Sequence, residues 1–405
     1  MLSPWCESFC YEDVQSALLC FLIEHIFRGG LHLKIVLSGF YGLGNTGDEA
    51  ILKAIVDNLR SELNNPDITV FSLSPEQTAK EHGVKSIYRG WRLQNKEKVK
   101  ALRDADLLIS GGGGLLQDTY PTKFLFGPLP YYLLIVLLAK LCGAKVMFFS
   151  QGIGPVTSTW GKILMKGLAN LADFVTVRDQ YSKDYLHSLG VKRPETVVTA
   201  DIVFAFQGNT DTSAYDSLRL TGSERLVAVA PRPWFEHEDE YISKMAWVLD
   251  ELVEQRGVTP VFVPMEPPYD TNISNKIFSK MKYANSTKIL GEQFSPNQFY
   301  NFIGQTELTI ALRLHALIFA ALSNVPHIGL SYDRKVESFL KRSGMWKHSF
   351  PLEDFTKENL LSEALDSLDH SNDVKSMMTP NVNVLRQEAK RNVILLKEKF
   401  GRTEK

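Results

Sequence analysis

The chain has 405 residues, room for two ordinary domains, with 45 Lys and Arg against 46 Asp and Glu and a formal net charge of −1. That balance excludes a general nucleic-acid binder, which needs a basic excess to neutralise phosphates, and equally an acidic, solvated, disordered chain. Apolar residues at 44% and charged residues at 22% fit a protein that buries a substantial core, and four cysteines with no CxxC pair give neither a disulfide framework nor a zinc knuckle, so a soluble, intracellular enzyme or binding protein is expected.

Residues 1–33 stand apart. Three of the four cysteines (Cys6, Cys10, Cys20) lie here beside an apolar stretch, Val14 to Phe27. The charges ahead of it are Glu7, Glu12 and Asp13, the wrong sign for a secretory signal, and Glu24 and His25 interrupt it as a membrane span. Val14, Ala17, Leu18, Phe21 and Leu22 recur at helical spacing. The segment reads as an extension outside the enzyme core, with a peripheral membrane contact as the alternative. No other run, Tyr131 to Ala139 included, is long enough to span a bilayer.

From Lys34 onward short apolar strands alternate with helical stretches. KIVLSG (34–39), DITVFSL (67–73), ADLLISGG (105–112), AKVMFFSQGIG (144–154), DFVTVRD (173–179) and VVTAD (197–201) read as strands, with helices over Asp48–Leu63, Tyr131–Leu141 and Trp160–Ala172. A polar stretch, 207–224, reads as a linker. A second series follows: strands LVAVAPRPW (226–234), TPVFVPM (259–265), TKIL (287–290), LTIALRL (308–314) and PHIGLSY (326–332), with helices Glu238–Gln255 and His315–Ser323. Such alternation implies βαβ units and parallel sheets. The expected architecture is α/β: a first Rossmann-like domain over 34–206, a second over 225–375, a cleft between them, and a C-terminal segment, 376–405, whose helix (about Val384–Phe400) crosses back to brace the two.

In open parallel sheets ligands bind at the carboxyl ends of strands, and every unusual motif here falls at such an end. GFYGLGNTGDEAIL (39–52) contains GxGxxG after a strand and before a helix. A dinucleotide site would need an acid closing the second strand, where Leu73, Ser74 and Pro75 stand, and Asp48 and Glu49 would repel a pyrophosphate. The bland reading is a tight turn with Asp48 capping the helix; the functional one is a substrate-lining loop in which Asn45 and Asp48 grip hydroxyls. ISGGGGLLQD (109–118) brings Gly112 and Gly113 to the cleft as a glycine turn, and FSQGIGP (149–155) brings Gln151. In TVRD (176–179) Arg178 is either an anion ligand or the ion-pair partner of Asp179.

In APRPW (230–234) two prolines stiffen the chain around Arg232, which suits a carboxylate or phosphate grip. In TIALRLHALIFAALS (309–323) a strand ends at Arg313 and His315 falls in the first turn of an apolar helix, where the dipole attracts anions. GLSYDRKVESFL (329–340) opens a helix with Lys335, a second anion ligand or a solvated charge. Arginines, a histidine and a lysine around a glycine-lined cleft describe a site for a small, doubly anionic ligand. No metal-ligand spacing, Walker lysine or GxSxG elbow is present, and the sequence asks for no metal or cofactor.

Taken in order, GFYGLGNTGDEAIL, SGGGGLLQD, QGIGP, VRD, ALRLHALIFAA and GLSYDRKV resemble the polysaccharide pyruvyl transferase family over about Lys34 to Leu340. The resemblance implies a two-domain fold similar to GT-B glycosyltransferases. It also implies transfer of a pyruvyl group from phosphoenolpyruvate to a sugar of a cell-envelope or exported polysaccharide as a cyclic ketal, with release of phosphate. By the same resemblance Arg313 and His315 bind and activate phosphoenolpyruvate and Arg178 helps hold its anionic groups. The chemistry suits such a site: C3 must be protonated while a sugar hydroxyl attacks C2, and His315 is the expected general acid, with a later turn as base open to it. The expected partners are phosphoenolpyruvate and a sugar acceptor, free or lipid-linked, with no nucleic acid, and the expected location is the cytoplasm, with the inner face of the plasma membrane as the alternative. Two other readings stay open: a GT-B glycosyltransferase using a nucleotide sugar, and a non-catalytic carbohydrate-binding protein.

Overall fold

The computed structural model describes residues 32–118, 127–234, 236–292 and 294–401. The apolar stretch Val14–Phe27, with its expected helix and membrane contact, lies outside the described residues.

Seven strands form the first sheet: β1 (Lys34–Ser38), β2 (Asp67–Ser72), β3 (Lys85–Tyr88), β4 (Leu107–Leu116), β5 (Lys145–Ile153), β6 (Phe174–Val177) and β7 (Glu195–Val198). Their spatial order is β3-β2-β1-β4-β5-β6-β7, every pair parallel. A second sheet takes β8 (Arg225–Ala230), β9 (Val258–Phe262), β10 (Lys288–Ile289), β11 (Leu308–Ala311), β12 (His327–Ser331) and β13 (Phe350–Pro351) in the order β10-β9-β8-β11-β12-β13, again all parallel. Two Rossmann-like domains follow, each with a point where the strand order reverses, β1/β4 in one and β8/β11 in the other. Clefts outside the strand ends at such points are where this architecture binds ligands.

The buried interiors of the strands explain their sequences. Ile35, Val36 and Leu37 of β1, and Leu226, Val227 and Val229 of β8, are 0–2% exposed, as expected of runs covered by helices on both faces. Four features depart from the sequence reading. β3 and β13 were not legible, because KSIY opens on an exposed lysine and is only half-buried, while β13 is a two-residue edge. β4 does not end in a glycine turn at residue 112; it continues through all four glycines to Leu116, with Gly112 (φ 68°) and Gly113 (φ 72°) in left-handed conformations and the register against β5 shifting just beyond them, between Gly113 and Leu116. The polar stretch 207–224 contains a short helix, Ser213–Ser217.

The closing helix runs from Ser371 to Phe400, starting well before Val384, with Pro380 inside it. It crosses between the domains. Asn392 Nδ2 donates to Ala200 O at 3.2 Å and its Oδ1 accepts from Thr199 Oγ1 at 2.9 Å, on the first domain. On the second, Thr379 Oγ1 donates to Asn324 Oδ1 at 3.0 Å and Arg386 donates to Leu322 O. Beneath it a single apolar cluster joins both domains, including Ile55 and Leu59 from one side, Phe319 from the other and Leu385 of the helix itself. Phe206 and Phe319 meet at 5.5 Å between ring centroids. No helix among the described residues is long and apolar enough to cross a membrane.

Candidate functional site

The two reversal points face each other across a cavity of about 1130 Å³, its opening to solvent included. From the first domain come Phe40 and Asn45 after β1, Asp48 in the first turn of helix Thr46–Glu62, Gly113 and Gly114 in β4, Gln117 beyond it, and Arg178 after β6. From the second come Arg232 after β8, Glu266 after β9, Arg313 and His315 after β11, and Tyr332 and Lys335 after β12. A backbone hydrogen bond, Thr46 N to Met265 O at 2.8 Å, ties the two rims together.

The start of helix Thr46–Glu62 is organised by Asn45, whose Oδ1 accepts from Gly47 N at 3.0 Å and Asp48 N at 3.3 Å. Asn45, not Asp48, is therefore the cap, and its acceptor is spent on the helix. Glu49 is also used, its Oε1 accepting from Gly42 N at 2.8 Å. The carboxylate of Asp48 is left facing the cavity, and among the described residues it makes no hydrogen bond or ion pair. Burial, with Glu49 and Glu266 nearby, pushes its pKa up to about 8; burial also pushes Glu49 up to about 7.

The glycines next to these motifs serve as seats for side chains. A Cβ on Gly47 would overlap His315 Nδ1, one on Gly152 would overlap the guanidinium of Arg178, and one on Gly154 would meet Gln117 Oε1 at 2.5 Å. Gly47 thus lets the first domain's helix lie directly against the second domain's imidazole. His315 Nε2 is buried with no hydrogen-bond partner. Burial holds its pKa down to about 4, opposed by Asp201 and reinforced by Arg178, Lys335 and Arg313, so at neutral pH the ring is uncharged.

The cations divide into two kinds. Arg313 is clamped: Nε donates to Asp270 Oδ2 at 2.9 Å, Nη2 pairs with Asp270 Oδ1, and Nη1 lies 2.6 Å from Glu266 Oε2. Arg178 is held less tightly, with Nη1 3.4 Å from Asp201 Oδ2, Nε 3.8 Å from Asp179 Oδ2 and that same Nε buried without a hydrogen-bond acceptor. Arg342 donates to the carbonyls of Arg178 and Thr199, pinning the strand end that carries it. Arg232 stacks 4.4 Å from the Tyr332 ring centroid, and Lys335 Nζ lies 5.4 Å from the same ring and 3.1 Å from Asp333 Oδ2. Burial alone would lower the Lys335 pKa; Tyr332 and Asp333 outweigh it and raise it, so the ammonium persists.

The structure therefore brings Asn45, Asp48, Gly113, Arg178, Arg232, Arg313, His315 and Lys335 to one cavity. It does not bring two others there. Gln151 is 0% exposed, with Nε2 donating to Ser110 O at 2.9 Å, because the side chain points into the sheet rather than out of its end. Gly112 is packed under Ile51, where a side chain would collide. Gln117 takes the place expected of Gln151, and Glu266 and Asp270 had gone unseen in the sequence. Their signal was present: MEPPYD follows β9 with two carboxylates at a strand end. No group of three or more His, Cys, Asp or Glu among the described residues could hold a metal ion.

A family model described as polysaccharide pyruvyl transferase matches residues 45–334, which contain the whole cavity rim except Phe40 and Lys335. The amylovoran biosynthesis protein AmsJ of Erwinia amylovora is 19% identical over 407 residues, an alignment covering 85% of this chain and 94% of that protein. Among solved structures, the UDP-GlcNAc 2-epimerase of Methanocaldococcus jannaschii superposes with a TM-score of 0.63 at 14% identity, covering 90% of this chain and 99% of that one. HepE of Anabaena, solved with UDP-glucose, gives 0.59 at 12% identity, covering 91% and 100%. At such identities these likenesses concern the fold, the two-domain GT-B arrangement.

Proposed function

The chain belongs to the polysaccharide pyruvyl transferase family, transferases of polysaccharide biosynthesis, and on that premise we propose that it moves the pyruvyl group of phosphoenolpyruvate onto a sugar as a cyclic ketal, releasing phosphate. The observation that carries this reading is the grouping of Arg178, Arg232 and Lys335 around His315 at one cavity. Phosphoenolpyruvate presents a carboxylate and a phosphate, and these three cations match that pair of charges. Arg178 has Asp201 and Asp179 nearby and Lys335 has Asp333, but neither is gripped as Arg313 is, whose fork is filled by Asp270 and whose remaining arm meets Glu266. Arg313 is thus a positioning residue in this reading: it fixes loop 265–270 and the chain leading into His315, while the other three hold the donor.

The opposite side of the cavity, Phe40, Tyr132 and Leu115 with Asn45, Gln117 and Gly114, supplies an apolar wall edged by polar groups. That composition suits a sugar, which offers a hydrophobic face and a hydroxyl rim. His315, between the two halves, is placed to move protons at the reacting carbon.

The test is incubation with phosphoenolpyruvate and a nitrophenyl-tagged disaccharide. Phosphate release together with an acid-labile pyruvate ketal on the tagged sugar is expected. Transfer from a nucleotide sugar in place of phosphoenolpyruvate would replace this reading with a glycosyltransferase one.

A further inference from the structure

Two titratable groups at the cavity stand on either side of one residue. The imidazole of His315 rests on Gly47, and the next residue along the helix is Asp48. Both lack side-chain partners: His315 Nε2 is buried and unbonded, and the Asp48 carboxylate makes no hydrogen bond or ion pair among the described residues. Every other carboxylate close by is committed, Glu49 to Gly42 N, Glu266 and Asp270 to Arg313. Asp48 is not needed as a helix cap, since Asn45 performs that function. Its Oδ1 is kept near the β4 glycines, 3.3 Å from where a Cβ on Gly113 would stand.

We propose that Asp48 is the acid that delivers a proton to C3 of the donor, and that His315 beside it is the base that accepts the proton of the attacking sugar hydroxyl. The assignment rests on the pyruvyl-transfer reading above and moves to Asp48 the acid step that the sequence led us to expect of His315. The charge environment supports it. Asp48 faces Glu49 on its own helix, Glu266 after β9, Asp201 after β7 and Lys335 on helix Arg334–Ser343; burial and the acids dominate, so the carboxyl is protonated at neutral pH, with a pKa near 8. His315 faces Asp201, Arg178, Lys335 and Arg313, and with a pKa near 4 it is neutral, the form a base requires. A bound dianion raises both values, keeping Asp48 protonated and making His315 a stronger base.

The steps balance. The C2=C3 π pair takes the Asp48 proton to form the methyl group, and C2 becomes an oxocarbenium centre. The first sugar hydroxyl forms a bond to C2 as its proton passes to His315. The C2–O bond to phosphate then breaks; the phosphate leaves with the electron pair and takes the His315 proton as hydrogen phosphate. The second hydroxyl closes the ketal on C2 and returns its proton to the Asp48 carboxylate. Both residues end as they began: the first hydroxyl's proton is on phosphate, and the second's replaces on Asp48 the proton given to C3.

The test compares wild type with Asp48→Asn and Asp48→Glu on phosphoenolpyruvate and a panel of nitrophenyl hexosides and disaccharides. Asp48→Asn is expected to lower kcat by about 10²–10⁴-fold while the donor KM stays within about threefold, with part of the rate recovered in Asp48→Glu. The alkaline limb of the wild-type kcat/KM profile, near pH 8, is expected to vanish in Asp48→Asn. In carboxyl-13C aspartate-labelled protein, a resonance missing from Asp48→Asn is expected to titrate near 8 without any substrate. Ketal formation that survives in Asp48→Asn with its alkaline limb intact would overturn the proton assignment alone. A wild type that releases no phosphate from phosphoenolpyruvate with any acceptor would overturn the pyruvyl-transfer reading and the assignment with it.

Discussion

Gly47 of the first domain and His315 of the second are packed so closely that only glycine fits: a Cβ at residue 47 would fall on the imidazole Nδ1. The backbone there is otherwise ordinary helix, so the requirement comes from the contact and not from dihedral strain. Gly47→Ala should therefore fold and keep its helix while displacing the ring. Since a misplacement of about 1 Å at a reacting centre costs on the order of 10²-fold, kcat should fall by about that factor. Donor affinity, which the proposed function assigns to Arg178, Arg232 and Lys335, should change by less than about threefold. Isothermal titration with phosphoenolpyruvate and steady-state kinetics check the two halves; a donor affinity that collapses with kcat would mean the ring is part of the clamp.

Gly152 stands to Arg178 as Gly47 does to His315, with the guanidinium lying where a Cβ would go. The expected phenotype is the converse. Gly152→Ala pushes the guanidinium off its position near Asp201, and loss of a charge-assisted contact to the donor is worth about 1.5–3 kcal/mol, or about 10- to 150-fold in donor affinity. Arg178→Ala should give a loss of the same order, and the double variant should lose little more than either alone, because both act on one group. Additive losses in binding assays would separate Gly152 from the arginine.

The sequence made some of this legible and hid the rest for a physical reason. Strand-by-strand alternation, the two-domain division and the closing helix follow from local hydrophobic pattern, and Arg178, Arg232, Arg313, His315 and Lys335 were recognisable because each is a cation at a strand end. Of the partners of those cations, only Asp179 beside Arg178 was. Asp270 sits 43 residues before Arg313, and nothing in MEPPYD announces that its aspartate will turn back under β11. Gln151 shows the opposite error. Its position at a strand end matches the motif, but the strand is irregular there, with Ser150 at φ 51° and the register against β6 shifted between Phe148 and Gln151, and the side chain is bonded to Ser110 O in the core. The glycines pointed to close approach; that the approaching groups are His315, Arg178 and Gln117 needed three dimensions.

Stability should depend on pH through the same carboxyls. Asp48 and Glu49 have folded pKa values near 8 and 7, far above the roughly 4 of an unfolded chain, so the folded state binds the extra protons. Their contribution is largest at low pH and is lost as pH rises through those values. His315, held near 4, acts in the opposite direction, raising stability as pH climbs from about 4 to about 6.5, and is finished above that. The clean window is therefore about pH 6.5 to 8.5, where urea midpoints of the wild type should fall and those of Asp48→Asn should fall less steeply. Parallel slopes would show that Asp48 is already ionised in the folded protein.

Asp270 offers the sharpest energetic prediction. Its side chain is 0% exposed, and Oδ2 accepts from Met265 N at 3.0 Å, Glu266 N at 2.9 Å and Arg313 Nε at 2.9 Å. Burial raises its pKa despite Arg313, so the site carries a standing desolvation cost that the arginine and the two amides offset. Asp270→Ala removes that compensation and strands a largely buried guanidinium with Glu266 alone, which should cost about 3–5 kcal/mol in urea unfolding. In an Arg313→Met background the same substitution no longer strands a charge. It leaves only the amides of Met265 and Glu266 unpaired, and should cost about 1–3 kcal/mol. The difference between the two costs is the coupling of the pair. Equal costs in both backgrounds would show that Asp270 serves loop 265–270 through its amides alone, and that Arg313 keeps its place next to His315 without it.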